Sequence, residues 1–246
     1  MNRLNKEKVV YVMATIVAIA IFITGCASSH IEGNQVMIVA HRGGALLKTE
    51  NTLEAFENAL IHHIDAIELD VHLSLDNELI VHHDPVVLDT NGNSVAIREL
   101  NSNDVSTLSV GEEQRIPTFR EVLTLVKEIG DYPVTLFVEI KIDDNKRRYP
   151  LIEEKVYALL KEFSLLGNSY ILSFDFETLV AMHAIDKTIH TSALISKAYM
   201  DALGWKGSKQ IVEDMLLFKV SSVGIKDFYL SHSLIEALHK ENIEIG

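Results

Sequence analysis

Short apolar segments alternate with amphipathic segments along most of the chain. From Val36 onward, runs of aliphatic residues are separated by stretches in which apolar residues recur every three or four positions. This alternation predicts βα units and a parallel sheet. Eight strands are predicted, at Val36–Ala40, Ala66–Val71, Leu79–His83, Val134–Ile140, Tyr170–Ser173, His190–Ile195, Ser221–Ile225 and from Ile243 onward. We therefore expect an α/β fold of the TIM-type (β/α)8 barrel.

Capping signals place several of the helices between these strands. Asn51, Thr118 and Ser233 are each followed three positions later by glutamate, which predicts a helix start at each. The helix after Thr118 is expected to end at Gly130. A longer helix is expected over Leu151 to Leu166.

Two departures from a regular barrel are expected. Only residues 74–78 separate the second and third strands, which is too short for a helix, so one barrel helix should be missing there. The last strand has only begun at Gly246. We expect the rest of it and its helix, about 30 residues in a usual βα unit, to be truncated.

The N-terminus has the pattern of a secretion signal. A basic start precedes an apolar run from Val9 to Ile23, and Gly25 is followed by Cys26, the only cysteine. This arrangement resembles a bacterial lipobox, which implies lipidation at Cys26 and a location outside the cytoplasmic membrane. An N-terminal transmembrane anchor remains the alternative. The predicted segments are a lipoprotein signal or membrane segment at 1–26, a tether at 27–35 and a C-terminally incomplete barrel domain at 36–246.

Composition narrows the class of protein. Apolar residues make up 48% and charged residues 23% of the chain, as in a globular protein. The net charge of −13 argues against nucleic acid as a partner. A phosphate-bearing substrate would therefore need local cations.

Acidic side chains occupy the carboxyl ends of two predicted strands. Glu68 and Asp70 share one face of the second strand, and Glu139 and Lys141 share one face of the fourth. Barrel enzymes place their chemistry at this end. Three carboxylates in one low-dielectric pocket cannot all stay ionised without a cation. Their oxygen donors favour Mg²⁺ or Ca²⁺ over Zn²⁺.

Histidines and cations lie at the same predicted rim. His41 ends the first strand and His83 ends the third, and two such rings suit proton transfer near neutral pH. Arg42 offers a fork of donors for a phosphoryl oxygen, and Lys141 offers a second positive charge. His72 continues the face of Glu68 but is expected to be peripheral, and Asp84 to play at most a supporting role.

These residues fall within an ordered set of short motifs. In chain order the motifs are His41-Arg42-Gly43-Gly44, Glu50-Asn51-Thr52, Glu68-Leu69-Asp70-Val71, His83-Asp84-Pro85, Ile116-Pro117-Thr118, Glu139-Ile140-Lys141 and Ser173-Phe174. The set resembles the glycerophosphodiester phosphodiesterase family. The resemblance runs from His41 to the chain end.

The resemblance implies a function and a set of roles. The expected reaction is metal-dependent hydrolysis of a small glycerophosphodiester to glycerol 3-phosphate and an alcohol. The implied roles are acid–base catalysis by His41 and His83, binding of one divalent cation by Glu68, Asp70 and Glu139, phosphate binding by Arg42 and Lys141, and a metal or glycerol contact by Glu50. The chain departs from the family at Ser74, and it ends before the tryptophan of the last strand, since Trp205 lies elsewhere.

Two other functions remain open at the level of sequence. The first is a phospholipase-like enzyme acting on intact lipid or a wall polymer. The second is a lipoprotein that only binds a phosphorylated solute, which would have no need for two titrating histidines. The sequence also leaves open the head group, the choice between Mg²⁺ and Ca²⁺, and the oligomeric state.

Overall fold

A computed structural model describes residues 36–111, 113–204 and 207–246. The chain divides into two compact units, Met1–Met37 and Ile38–Gly246, and every helix and strand given below belongs to the second. The segments 1–26 and 27–35 lie outside the described residues, so the signal and the tether remain predictions. Among the described residues, no helix has the length and apolar character needed to cross a bilayer.

The α/β fold is built on a curled parallel sheet of seven strands that forms a half-barrel. The strands of the chain are β1 (Val39–Ala40), β2 (Ala66–Leu73), β3 (Leu79–Val81), β4 (Val86–Leu88), β5 (Ser94–Ala96), β6 (Ser109–Val110), β7 (Gln114–Arg115), β8 (Thr135–Ile140), β9 (Ser169–Ser173), β10 (His190–Leu194), β11 (Ser222–Gly224) and β12 (Glu244–Ile245). The order in the sheet is β1-β2-β8-β9-β10-β11-β12, and β3 pairs with β2. Two small antiparallel hairpins, β4–β5 and β6–β7, lie between β3 and β8 in the chain.

Helices connect the parallel strands. The α-helices are α1 (Leu53–Ile61), α2 (Ser102–Val105), α3 (Phe119–Ile129), α4 (Ile152–Glu162), α5 (Phe176–Ile185), α6 (Lys197–Leu203), α7 (Gly207–Phe218) and α8 (His232–Lys240). Short 3-10 helices occur at His41–Gly43, Ile97–Glu99, Leu166–Asn168 and Asp227–Tyr229.

The third predicted strand differs from its expected place in the barrel. β3 runs antiparallel to β2, with Val71 opposite Val81 and Leu73 opposite Leu79. No helix is needed between the two because antiparallel neighbours can be joined by a short turn. The predicted strand Leu79–His83 also ends early, at Val81, so His83 lies in a bend beyond it. The expectation that this third predicted strand is parallel to its neighbours is therefore wrong, and the parallel sheet has seven strands instead of eight.

Other element boundaries also move. The first strand was expected from Val36 but begins at Val39. The longer predicted helix ends at Glu162, and a separate 3-10 helix follows it. The cap expected at Ser233 is Ser231, whose hydroxyl accepts a hydrogen bond from Leu234 N. Side-chain patterns locate an element well but its ends poorly, because local capping contacts decide them.

The core forms between the sheet and the helices that cover it. Helix α3 begins with the predicted capping box, in which Thr118 and Glu121 satisfy each other's backbone N–H groups. Its apolar face buries Phe119, Val122 and Leu123 against the sheet. A smaller cluster packs under the segment between β3 and β8, formed by Ile80, Val87, Ile97, Val105, Leu108 and Ile116.

The turn after β1 approaches helix α1 very closely. Gly43 has a φ of +78°, and a Cβ placed there would lie 2.9 Å from both Ala55 Cβ and Phe56 Cδ1. Glycine is therefore needed twice over, for the left-handed backbone and for the space. This close approach fixes the turn that carries His41 and Arg42.

The substitution Gly43→Ala should destabilise the fold. Overpacking and the strained φ together should lower the free energy of unfolding by about 2–4 kcal/mol, measured by urea denaturation. Gly167→Ala is the matched control, because a Cβ at Gly167 would meet no atom within 4 Å. Equal stability of the two variants would contradict the proposed contact.

Candidate functional site

Most of the polar residues singled out by the sequence lie on β2 and β8 or directly after β1 and β8, which flank β2 in the sheet, while His83 follows β3. β2 and β8 pair in parallel with Asp70 opposite Glu139. Glu68 shares the face of Asp70 because it lies two residues earlier in the same strand. One carboxylate oxygen from each acid lies within 4.8 Å of the others, and all three residues are buried. The three acids therefore meet in one pocket, while their role as metal ligands remains a prediction.

Burial sets the protonation of this cluster. It raises the pKa of Glu68 to about 8, and the charge of Asp70 adds to the rise. It raises the pKa of Glu139 to about 7, although Lys141 acts in the opposite direction. Burial also disfavours ionised Asp70, but Lys141 and a hydrogen bond from Asn51 outweigh it and hold that pKa below its usual value. Near neutral pH the cluster therefore calls for protons or a cation.

Lys141 is the cation nearest to these acids among the described residues. Its Nζ lies 2.8 Å from Glu139 Oε1 and 3.0 Å from Asp70 Oδ1. Burial alone would lower the pKa of Lys141, but the two carboxylates outweigh it and raise that pKa. One lysine balances only one of three carboxylates, so a divalent cation would complete the neutralisation.

The cluster fits a hard divalent cation. Mg²⁺ and Ca²⁺ bind oxygen ligands at roughly 2.0–2.6 Å, so two ligands on opposite sides of the ion are about 4–5 Å apart. The separations within the cluster, up to 4.8 Å, match that span. All three donors are carboxylate oxygens, and this donor set suits Mg²⁺ or Ca²⁺.

His41 reaches the cluster from the turn after β1. It begins the 3-10 helix His41–Gly43 rather than ending the strand itself. Its Nε2 lies 3.9 Å from Glu68 Oε2, while its side chain is 66% exposed. Partial burial, and next the charge of Arg42, lower the pKa of His41. The ring is therefore largely neutral near pH 7 and open to a substrate.

Arg42 joins several parts of the site. Its backbone N donates to Glu68 Oε2 at 2.7 Å, in a left-handed conformation with φ of +52°. Its Nη1 donates to both carboxylate oxygens of Glu50, at 2.8 and 3.0 Å. The Nε is buried without a hydrogen-bond partner, 3.7 Å from Asp70 Oδ2. A buried guanidinium N–H without an acceptor is costly, so this Nε is a donor that an anionic group could use.

Glu50 lies beside Arg42 and outside the candidate metal group. That group contains Glu68, Asp70 and Glu139, whereas the carboxylate of Glu50 is partly exposed and bonded to Arg42. Its contacts in the described residues support orientation of Arg42 more directly than binding of a metal.

His83 has a carboxylate partner of its own. Its Nδ1 lies 2.8 Å from Asp84 Oδ1. A carboxylate oxygen accepts, so Nδ1 carries the proton and Nε2 is left free for proton transfer. Asp84 is thus the hydrogen-bond partner of His83, and its supporting role stays a prediction.

Asn51 belongs to the site, although the sequence suggested a helix cap. The cap is Thr52, whose hydroxyl accepts from Ala55 N at 3.2 Å. Asn51 instead has a φ of +55° and donates from Nδ2 to Asp70 Oδ2 at 2.8 Å. The only signal in the sequence was that Asn51 and Thr52 are adjacent and can both cap a helix. Since one cap residue is enough, the other could make a different contact.

The sequence also did not indicate the contacts that His72 makes. It is fully buried and lies outside the acid cluster, as expected. Its two ring nitrogens bond to Tyr149 Oη at 2.9 Å and to the carbonyl of His83 at 3.2 Å. Burial lowers its pKa to about 3, so the ring is neutral. Nothing in the sequence connects Tyr149 with this site.

Comparison with known proteins matches this chain to one family. A model of the "Glycerophosphoryl diester phosphodiesterase family" matches residues 41–245. A glycerophosphodiester phosphodiesterase from Caldanaerobacter subterraneus subsp. tengcongensis is 34% identical over 148 residues, covering 57% of this chain and 59% of the relative, less than two thirds of its length. Another from Bacillus altitudinis is 31% identical, covering 83% of this chain and 82% of the relative.

Solved structures share the fold. A glycerophosphodiester phosphodiesterase from Thermotoga maritima is similar with a TM-score of 0.64 and 26% identity, covering 86% of each chain. A phosphodiesterase from Oleispira antarctica, solved in complex with the product sn-glycerol-3-phosphate, gives a TM-score of 0.66 at 20% identity, covering 85% of this chain and 83% of that one. These TIM-barrel neighbours confirm the expected fold class.

The buried acids should make the stability of the fold depend on pH and on cations. Folding raises the pKa of Glu68 to about 8 and the pKa of Glu139 to about 7, both well above the ordinary value of a glutamate. The resulting stabilisation is complete below the unfolded value and is lost as the pH rises through the folded values. Without cations, the Tm should fall by about 5–10 °C from pH 5 to pH 8. Added Mg²⁺ or Ca²⁺ should reverse the fall at pH 8.

Glu139→Gln should weaken both the pH dependence and the cation response, as measured by calorimetry. Glu154→Gln, at an exposed position in helix α4, is the matched control and should retain both. A wild-type Tm that is insensitive to both pH and cations would count against the acid cluster as a cation site.

Proposed function

Because the chain belongs to the glycerophosphoryl diester phosphodiesterase family, and with it to the phosphoric diester hydrolases, we propose that it hydrolyses glycerophosphodiesters to glycerol 3-phosphate and an alcohol. The observation that carries the proposal is the buried cluster of Glu68, Asp70 and Glu139, with Nε2 of His41 3.9 Å from Glu68. The product named for the Oleispira antarctica structure is the one expected here.

Glu68, Asp70 and Glu139 would hold one divalent cation, either Mg²⁺ or Ca²⁺. Such a cation, when bound, supplies Lewis-acid stabilisation of charge on a phosphoryl oxygen. Asn51 would keep Asp70 oriented through its bond to Oδ2. The backbone N of Arg42 would do the same for Glu68.

Arg42 and Lys141 would bind the phosphate. The buried Nε of Arg42 has no hydrogen-bond partner and can donate to a phosphoryl oxygen. Lys141 directly follows β8 and forms ion pairs with Glu139 and Asp70. With Glu139 and Asp70 holding a cation, the ammonium group of Lys141 would be available to an anionic substrate.

The two histidines would transfer protons. One ring takes the proton of the attacking hydroxyl, and the other gives a proton to the oxygen of the leaving alcohol. The bond from His83 Nδ1 to Asp84 leaves Nε2 of His83 for this task. By analogy with related phospholipases, the attacking hydroxyl is the neighbouring glycerol hydroxyl, and water then opens the cyclic phosphate.

His41→Ala and His83→Ala should each lower turnover of glycerophosphocholine by about 10²–10⁴-fold. Both variants should keep the wild-type Tm, because neither ring is part of the core. Product release is followed by coupled detection of glycerol 3-phosphate in the presence of Mg²⁺ or Ca²⁺. His232→Ala, at an exposed position, is the matched control.

Full activity of either site variant would refute the assigned roles. A wild-type protein that binds glycerophosphocholine without releasing product would instead favour the solute-binding alternative. Turnover confined to intact phospholipid or wall polymer would favour the phospholipase-like alternative.

The domain is also proposed to act outside the cytoplasmic membrane, held by a lipid on Cys26. The support is the sequence pattern of residues 1–26, and Cys26 is the only cysteine available for such an anchor. Metabolic labelling with a fatty acid should modify the wild-type protein and leave Cys26→Ser unlabelled. An unlabelled wild-type protein that stays in the membrane fraction would indicate a transmembrane anchor instead.

A further inference from the structure

His83 lies on a segment with little regular structure to hold it. β3 ends at Val81 and β4 begins at Val86, and the residues between form a bend. The acids of the cluster are on paired strands, but His83 has no strand partner. A proton-transfer group must nevertheless be held to within a fraction of an ångström of its working position. Something else has to fix its backbone.

Strand β2 supplies two contacts to this bend. The carbonyl of Asp70 accepts a hydrogen bond from His82 N at 3.1 Å. The side chain of His72 reaches the next residue, with Nε2 3.2 Å from the carbonyl of His83. A carbonyl oxygen only accepts, so Nε2 of His72 must carry the ring proton and donate it.

That assignment determines the role of Tyr149. With the proton of the neutral His72 ring on Nε2, Nδ1 is an acceptor, and Tyr149 Oη donates to it at 2.9 Å. Tyr149 comes from the segment between β8 and helix α4 and is only 5% exposed. The rings of His72 and Tyr149 also meet edge to face, with centroids 5.7 Å apart. The imidazole is therefore fixed in both tautomer and orientation.

We propose that Tyr149 and His72 form a buried hydrogen-bonded chain that positions His83 for proton transfer. The chain runs from the Tyr149 hydroxyl through the His72 ring to the His83 carbonyl, and Asp84 orients the ring of His83 from the other side. This role rests on the proposed function, since it presumes that His83 transfers a proton. Tyr149 and His72 are positioning residues and need not touch the substrate.

The fully buried imidazole of His72 has either this positioning role or a purely structural role. Both ring nitrogens must be bonded, because an unsatisfied buried polar group costs about 1–3 kcal/mol. A structural role predicts lower stability with unchanged turnover per folded molecule. A positioning role predicts lower kcat with little change in KM, because the binding groups remain in place.

Three variants separate these roles. Tyr149→Phe removes only the hydroxyl and should lower kcat about tenfold, while His72→Leu removes both bonds and should lower it about 100-fold. His72→Gln restores an N–H donor for the carbonyl of His83 and should recover most of the rate. KM for glycerophosphocholine and the calorimetric affinity for Mg²⁺ or Ca²⁺ should stay within about twofold of wild type. Tyr157→Phe is the matched control. Tyr157 lies in helix α4, and the substitution removes its hydroxyl, which is bonded to Asp186.

A second measurement does not depend on activity. The Cε1–Hε1 resonance of His83, assigned by its loss in His83→Ala, should be sharp in the wild-type protein and broadened in Tyr149→Phe. If the wild-type protein hydrolyses no diester, the proposed function fails, while this resonance still reports on positioning. If His72→Leu does not fold, the kcat of Tyr149→Phe and its His83 resonance decide between the positioning role and the structural role.

Two results would overturn the inference. One is an unchanged kcat in Tyr149→Phe, together with an unchanged His83 resonance. The other is a loss of kcat in Tyr157→Phe as large as that in Tyr149→Phe, which would mark a general effect of losing a tyrosine hydroxyl bond.

Discussion

The parallel register between β2 and β8 places two carboxylates side by side. Asp70 is paired directly with Glu139, and Glu68 lies two residues before Asp70 on the same face of β2. Like charges opposite each other destabilise a sheet, and burial makes their repulsion stronger. A shift of one residue would turn these acids away from the pocket and expose the aliphatic residues between them. The fold therefore maintains an unfavourable arrangement through the packing of the rest of β2, all of which is buried.

Three neighbouring segments contribute groups that offset the repulsion between these acids. Lys141 contributes a positive charge from the residue directly after β8, and Arg42 contributes its backbone N–H and guanidinium from the turn after β1. Asn51 donates to Asp70 from the segment before helix α1. These donors hold Asp70 ionised but leave Glu68 and Glu139 with raised pKa values. The pocket is thus oriented and only partly neutralised, which is a suitable state for a site that binds a cation.

The sequence predicted the strand-borne part of this site well and the loop-borne part poorly. Alternation along a strand fixes which residues share a face, so Glu68, Asp70 and Glu139 could be placed together without coordinates. Alternation says nothing about strand direction, and β3 was wrongly expected to be parallel. Asn51 was expected to cap a helix, because the same side-chain chemistry serves a cap and a carboxylate. Tyr149 is 77 residues from His72, and no local pattern predicts such a contact.

The site therefore divides into a rigid half and a supported half. The acids and Lys141 belong to paired strands or their immediate ends, whereas His41 and His83 belong to a turn and a bend. The turn of His41 is fixed by the close packing of Gly43 on helix α1. The bend of His83 is fixed by a hydrogen bond from His82 N to the Asp70 carbonyl and by one from the His72 ring. Both acids of β2 and both contacts to the His83 bend thus come from one buried strand. Because β2 carries both, the spacing between the carboxylates of Glu68 and Asp70 and the bend of His83 is set largely by one strand, which limits how far loop motion can separate them.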